Sequence, residues 1–108
     1  LKPGAVPIGI ECSGRVCAVG PGVTEFQVGD EVLGIAPFSF ASHTTTSVLG
    51  VVPKPRSITH EEAAAVPIAY LTAHYALCHL ARVEPGEKVL IHAAAGGVGL
   101  AAIQISQA

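Results

Sequence analysis

Short apolar runs separated by glycine and proline turns dominate the first half of the chain. Four of these runs, residues 8–12, 15–19, 31–33 and 47–52, predict β-strands. The segment Gly20-Pro21-Gly22 predicts a turn. The segment Gln27-Val28-Gly29-Asp30 predicts a second turn, in which Gly29 has a positive φ. Because apolar and polar residues alternate only weakly, we expect a curled, barrel-like sheet with covered faces.

The second half of the chain carries helical spacing. Pro53-Lys54-Pro55 excludes both a helix and a central strand, so it predicts a boundary between residues 1–54 and 55–108. Thr59 and Glu62 have the spacing of a capping box, which predicts a helix that starts there and is interrupted at Pro67. Residues 69–81 then predict a second helix with one face packed inward, carried by Tyr70, Ala73, Leu77 and Leu80.

The end of the chain predicts a strand, a tight loop and a helix in that order. Residues 88–92 form the expected buried strand, 93–97 the loop and 98–107 the apolar helix. The loop holds the hexapeptide Ala94-Ala95-Gly96-Gly97-Val98-Gly99, which is a GxGxxG pattern with alanine in its first place. This order of elements is the context that such a pattern needs to indicate a dinucleotide site.

Each small residue of the hexapeptide has a distinct physical role in that interpretation. Ala94 permits a sharp turn off the strand, Gly96 lets the main chain approach a pyrophosphate, and Gly99 lets the helix press on the strand. Amides from about Gly97 and Val98 onward then face the phosphates at the positive end of the helix dipole. The alternative is a tight turn with close helix packing and no ligand.

Composition and charge narrow the class of partner. The 108 residues are 50% hydrophobic and 13% charged, and the net charge of −2 comes without any basic stretch, so nucleic-acid binding is not expected. The apolar segment 89–108 includes His92, Gln104 and three glycines within four positions, so we do not expect a membrane span. A mean hydropathy of +0.54 indicates that neighbouring segments cover the chain.

Cysteine and histidine usage argues against a metal or disulfide framework. The three cysteines, Cys12, Cys17 and Cys78, are odd in number and form no CxxC pair, which favours buried thiols in a reducing cytosol. The five histidines share no metal-ligand spacing. The chain has no methionine, and its apolar run continues to Ala108 without a helix-stop signal. We therefore expect an internal segment of a longer, cytoplasmic protein.

The chain as a whole resembles the zinc-free medium-chain dehydrogenase/reductase family, and most of all the enoyl reductase domains of type I polyketide and fatty-acid synthases. Four blocks in the family's order carry the resemblance: Gly9–Val23, Phe26–Gly34, Glu61–Ala73 and Gly86–Gln104. The synthase resemblance rests on Phe40–His43, on Ala69–Leu77 and on the stretch from Val89 to Gln104.

This resemblance implies an α/β fold made of two parts. Residues 1–54 would be the later part of a GroES-like β-barrel, and residues 55–108 would be linking helices and the first β-α unit of a Rossmann domain, a doubly wound parallel sheet. The implied activity is NADPH-dependent reduction of an α,β-unsaturated thioester, carried on an acyl carrier protein. The chain would belong to a larger multidomain protein or a homodimer, and would be inactive in isolation.

The resemblance also assigns site residues and leaves some roles open. Thr72 matches the family's threonine beside the nicotinamide ring, and the alternative is a helix threonine bonded to a carbonyl one turn earlier. The implied cofactor contacts are Thr72, Ala94, Ala95, Gly96, Gly97, Val98 and Gly99. Ile10 replaces the histidine of zinc-dependent relatives, so no metal is expected, and Glu11 is assigned a structural role. No catalytic acid is identified.

Two other functions remain open on the sequence. One is a free-standing, zinc-free quinone or alkenal reductase, and the other is a non-catalytic relative that keeps the dinucleotide fold. The choice between NADPH and NADH depends on a residue about 20 positions after the glycine pattern, which lies beyond Ala108.

Overall fold

The first part of the molecule is built on a small antiparallel sheet. The structure, a computed structural model, describes residues 8–108 and divides into two compact units, one ending at Pro67 and one of Ile68–Ala108. The sheet has the order β1-β2-β3, with β1 at Glu11–Arg15, β2 at Glu31–Ile35 and β3 at Val51–Pro53. The mixed α/β class predicted from the sequence is confirmed.

The turn before β2 forms as its glycine predicts. Gly29 has φ +102°, a conformation that a residue with a Cβ resists. Its amide donates to the Val16 carbonyl at 2.8 Å, and the Val16 amide donates to the Asp30 carbonyl at 2.9 Å. These two bonds lead β1 into register with β2, where Cys12 lies opposite Gly34.

Three of the predicted strands are wrong in extent. The first begins at Glu11 and not at residue 8, because Gly9 turns at φ +82° against Ser39. Of residues 15–19, only Arg15 belongs to a strand of the described chain. The first half of 47–52 is a 3₁₀ helix, Val48–Gly50, because the Ser47 side chain accepts from the Leu49 amide and competes with strand pairing.

The contact between β2 and β3 requires a glycine. A Cβ at Gly34 would collide with the Gly50 carbonyl oxygen and lie 2.7 Å from the Val51 Cα. Because both of these atoms are main chain, no rotamer change would relieve the overlap. Pro53 is tolerated at the end of β3 because this strand lies at an edge of the described sheet.

The capping box is confirmed. The Thr59 amide donates to the Glu62 carboxylate at 2.8 Å, and the Glu62 amide donates to the Thr59 hydroxyl at 3.2 Å. The helix it starts, α1 (His60–Ala64), packs on β1 and β2 and buries Ala63 completely. Although α1 thus groups with the sheet, the domain boundary near Lys54 stays a prediction.

The second unit consists of helices and a loop. Helix α2 (Pro67–His74) continues directly into a π-helix, Tyr75–Ala81, and helix α3 (Gly97–Gln107) ends the chain. The π-helix ends at Arg82, whose backbone is left-handed at φ 53° and whose amide bonds the Leu77 carbonyl. The predicted α3 is confirmed to within one residue.

The π-helix changes which residues face the core. Ala73 is buried and Tyr70 and Leu77 are partly buried, as the helical spacing predicts, but Leu80 is 64% exposed. The prediction for Leu80 was wrong because π-helical bonding reaches five residues back and widens the turn. The buried centre of this unit is small and consists of Ala73, Ala101 and Ala102, with Ala69, Tyr70, Leu77, Ile91 and Ile105 packed around it.

The strand predicted at residues 88–92 does not form within the described chain. These residues pair with no other strand, and Leu90 is 86% exposed. A strand of a parallel sheet has little stability without neighbours that bond its backbone and cover its faces. Among residues 8–108, no helix has the length and apolarity needed to cross a bilayer.

Candidate functional site

The glycine-rich segment forms a tight turn that leads directly into α3. Ala93 adopts a left-handed backbone at φ 52°, and its carbonyl accepts from the Gly96 amide at 2.9 Å. A non-glycine residue in this region costs energy and is held there by its surroundings. The sequence placed the sharp bend at Ala94 and missed Ala93, because nothing in an alanine signals a positive φ.

Gly99 fits the packing role predicted for it, with a different neighbour. A Cβ at this position would collide with the Ala93 carbonyl oxygen and lie 2.7 Å from the Ala94 Cα. The first turn of α3 therefore presses on the turn that precedes it, and not on a strand. Gly99 is buried in this contact, so its role is to fix where α3 begins relative to the turn.

The first amides of α3 are available to an anion. Gly96 is the N-cap residue and has no side chain that could cap the helix. Within the described chain no acceptor bonds the amides of Gly97, Val98 or Gly99, whereas the Leu100 amide already donates to the Gly96 carbonyl at 2.8 Å. The Gly96 amide donates to the Ala93 carbonyl, so the open amides begin at Gly97, and the close approach of the Gly96 main chain to a pyrophosphate stays a prediction.

The space around these amides suits a diphosphate. Gly97 and Val98 are exposed, and a Cβ built on Gly97 meets no described atom within 4 Å. No acidic side chain lies in the first turn of α3, so only the partial positive charge of the helix start is present there. Unbonded amides at an open helix start are the groups that bind phosphate in dinucleotide folds, so the residues present fit such a ligand.

Thr72 lies in the same unit, on α2. Its side chain is exposed and is adjacent in sequence to the buried Ala73. The packing of Ala73 therefore determines how Thr72 is presented at the surface of α2. Its contact with a nicotinamide ring stays a prediction.

A side-chain hydrogen bond joins α2 and α3. The Tyr70 hydroxyl donates to the Gln104 side-chain oxygen, beside the buried alanines through which the two helices pack. The helical spacing had predicted Tyr70 only as a packing residue, and Gln104 had no assigned role. No local pattern signals a bond between positions 34 apart in sequence.

The first unit contains a separate polar cluster. The carboxylate of Glu31 lies 3.4 Å from the Lys54 ammonium, 3.2 Å from the Arg15 guanidinium and 3.5 Å from His60 Nε2. The hydrogen bond from Lys54 is the main reason that the pKa of Glu31 is lowered from its ordinary value. His60 Nδ1 lies 2.7 Å from the Ser13 hydroxyl.

This cluster joins α1 to the sheet and has the wrong geometry for a serine nucleophile. The Ser13 hydroxyl donates its single proton to the Val32 carbonyl at 3.0 Å, so the Ser13 oxygen accepts from His60. A serine nucleophile must instead give its proton to the histidine. The cluster is structural: it connects β1, β2 and α1 through Ser13, Glu31 and His60.

The cysteines differ from the prediction of buried thiols. Cys17 and Cys78 are exposed, because Cys17 follows the end of β1 and Cys78 lies on the π-helix away from its packed face. Cys12 is partly buried, and burial raises the pKa of its thiol. Residues 8–108 contain no group of three histidine, cysteine or acidic side chains placed to hold a metal ion.

The comparisons with known proteins agree with this fold. Residues 2–73 match the family model of the alcohol dehydrogenase GroES-like domain. The polyketide synthase GfsB of Streptomyces halstedii is 53% identical over 107 residues, which cover 99% of this chain and 2% of GfsB. The chain therefore corresponds to a small part of that relative.

Solved structures of several proteins have a similar fold. The CurK enoyl reductase is 51% identical, with a TM-score of 0.82 over 94% of this chain and 31% of that one. A mycobacterial protein, Rv1454c, solved with NADPH, is 39% identical with a TM-score of 0.86 over 97% of this chain and 34% of its own. A quinone oxidoreductase of Pseudomonas syringae pv. Tomato DC3000 is 40% identical, with a TM-score of 0.81 over 92% and 31%.

Proposed function

The chain belongs to the medium-chain dehydrogenase/reductase family, with the alcohol dehydrogenase GroES-like domain over residues 2–73, and from this premise we propose that it is part of an NADPH-dependent enoyl reductase of a polyketide synthase. The substrate is an α,β-unsaturated thioester, delivered by an acyl carrier protein within a larger multidomain chain. A fatty-acid synthase module has the same chemistry.

The single observation that carries the cofactor proposal is the open start of α3. The free amides of Gly97 and Val98 meet no acidic side chain, and Gly97 borders empty space. A diphosphate supplies the acceptors that these amides lack and benefits from the helix dipole. The NADPH complex of Rv1454c, which has the same fold, supports the choice of dinucleotide.

When bound, NADPH would supply the hydride for the β-carbon of the substrate and be left as NADP⁺, and the α-carbon would take its proton from an acid or solvent outside the residues of this chain. The residues of this chain would bind and orient the cofactor: the α3 amides would hold the diphosphate, and Thr72 would contact the nicotinamide. Ala94, Ala95 and Gly96 keep the turn narrow enough for the diphosphate to approach. The catalytic acid is assigned to none of the residues of this chain, and the reaction is proposed to need no zinc because Ile10 replaces the histidine of zinc-dependent relatives.

Cofactor fluorescence on the intact protein tests the proposal. We expect NADPH to bind and to be oxidised on addition of an enoyl thioester, and chelators to leave the rate unchanged. Gly97→Ala places a methyl group where the diphosphate approaches, and we expect it to raise the Kd of NADPH about tenfold. Gly14→Ala, which also meets no atom within 4 Å but lies in β1, is the matched control. Equal Kd values for the Gly97→Ala variant and the wild type would contradict the site.

A second candidate, a quinone or alkenal reductase, is favoured by the likeness to the Pseudomonas syringae enzyme. It shares the cofactor site and differs in substrate. Oxidation of NADPH with quinones, and none with enoyl thioesters, would show that the protein is a quinone reductase. Binding of NADPH without oxidation by either substrate would instead indicate a non-catalytic relative.

A further inference from the structure

The buried centre of the contact between α2 and α3 defines the register of the two helices poorly. The buried residues at their contact are Ala73, Ala101 and Ala102, and partly buried side chains, Tyr70 among them, pack around these alanines. Alanine presents one methyl group, so the ridges and grooves that usually fix how two helices sit on each other are shallow here. The alanines at the centre of the contact therefore do little to fix how one helix slides or rotates on the other.

A directed interaction crosses the same contact. Tyr70 lies one turn before Ala73 on α2, and Gln104 lies one turn after Ala101 on α3. Their hydrogen bond, from the tyrosine hydroxyl to the glutamine oxygen, requires both a distance and an angle. It therefore supplies the register that the alanines leave undefined.

We infer that the Tyr70–Gln104 hydrogen bond is a positioning device that sets Thr72 relative to the first turn of α3. Thr72 lies two residues after Tyr70 on α2, and the free amides of Gly97 and Val98 lie on the helix that carries Gln104. The inference rests on the proposed function, in which α3 holds the diphosphate and α2 holds the nicotinamide of one cofactor molecule.

This arrangement predicts that loss of the Tyr70–Gln104 bond affects turnover and leaves NADPH binding nearly unchanged. The diphosphate contacts lie on α3 alone, so loss of the bond leaves NADPH affinity nearly unchanged. The nicotinamide depends on where α2 places Thr72, and small displacements of a reacting group have large effects on rate. Loss of the bond therefore lowers kcat and leaves the Kd of NADPH within about twofold.

The experiment compares Tyr70→Phe, Gln104→Leu and the double variant in the intact protein. We expect each single variant to lower kcat about fivefold and the double variant to lower it no further, because both remove the same bond. Gln104→Glu keeps an acceptor for the Tyr70 hydroxyl and should retain most of the rate. Tyr75→Phe is the matched control, since within the described chain Tyr75 only stacks on His79, at 5.0 Å between ring centroids.

The outcomes separate this inference from the proposed function. If the wild type binds and oxidises NADPH while Tyr70→Phe keeps its kcat within about twofold, the bond only stabilises the fold and the inference fails alone. Additive losses in the double variant would overturn it equally, because they would show two independent effects. A wild type that neither binds nor oxidises NADPH would overturn the proposed function and the inference with it. Should Gln104→Leu not fold, Tyr70→Phe and Gln104→Glu decide the question.

Discussion

The two units of the molecule are held by different kinds of contact. In the first unit, backbone pairing and a charged cluster around Glu31 connect β1, β2 and α1. In the second unit, α2 and α3 are connected by three buried alanines and a side-chain hydrogen bond. The first turn of α3 also packs closely on the main chain of the turn before it. The difference predicts that polar substitutions damage the first unit, whereas the second is sensitive to backbone shape.

Each unit nevertheless contains a glycine whose replacement would push a methyl group into the main chain, and the larger effect is expected in the sheet. Gly34→Ala places a methyl group against the Gly50 carbonyl and the Val51 Cα, so β2 and β3 must separate. We expect a loss of about 3 kcal/mol in the free energy of unfolding, the upper part of the range for overpacking. Hydrogen exchange of the β2 amides in the intact protein measures it.

The control for this prediction lies in the same sheet. Gly14 is paired with Val32 in β1 and β2, and a Cβ at Gly14 meets no atom within 4 Å. We expect Gly14→Ala to change stability by no more than about 0.5 kcal/mol, and to raise it if it changes at all. Equal losses in the two variants would show that backbone crowding is not the cause.

The next effect concerns the turn before α3. Gly99→Ala pushes a methyl group into the main chain of Ala93 and Ala94, and we expect it to cost about 2 kcal/mol and to abolish tight NADPH binding. The methyl group of Gly97→Ala lies in open space, so this variant should keep full stability while its affinity for NADPH falls. Thermal unfolding together with NADPH titration distinguishes the two. Loss of stability in the Gly97→Ala variant would refute this division of roles.

In the first unit, the sequence predicted correctly those features that depend on one or two neighbouring residues. The capping box of Thr59 and Glu62 and the positive φ of Gly29 were both predicted correctly, because each depends only on close neighbours. The strand limits were not, since Gly9 packs against Ser39, 30 positions away in sequence, and the Ser47 side chain redirects its own backbone. The Glu31 cluster joins four segments and left no local pattern.

The second unit shows a different limit of sequence reasoning. The position of α3 and the packing role of Gly99 follow from the glycine pattern, because that pattern encodes steric needs. The left-handed Ala93 and the Tyr70–Gln104 bond depend on tertiary contacts and could not be predicted. The missing strand at residues 88–92 shows that an apolar run forms a parallel strand only where neighbouring strands exist.

Lys54 of the first unit and Lys88 of the second test whether a charged side chain stabilises one unit more than the other. The Lys54 side chain is 5% exposed and its ammonium donates to the Ile58 carbonyl at 2.6 Å as well as contacting Glu31. Lys54→Met removes the Lys54 donor from the Ile58 carbonyl and leaves Glu31 with Arg15 and His60 only, and we expect a loss of about 2 kcal/mol in the free energy of unfolding, measured by urea denaturation. Lys88→Met, at an exposed position of the second unit, should cost almost nothing. Equal losses of stability in the Lys54→Met and Lys88→Met variants would show that the contacts of the Lys54 ammonium do not stabilise the fold.

The smallest expected effect is the acid sensitivity of the first unit. The hydrogen bond from Lys54 lowers the pKa of Glu31 in the folded state, with weaker help from His60 and Arg15. A lowered pKa means that folding favours the carboxylate, so its contribution is complete above the ordinary glutamate pKa and is lost as the pH falls through the lowered folded value. Because the carboxylate is 39% exposed, solvent screens the effect and keeps it small. Glu31→Gln should flatten the acid side of the stability profile, measured as Tm against pH, and a profile parallel to that of the wild type would show that this cluster contributes no pH dependence.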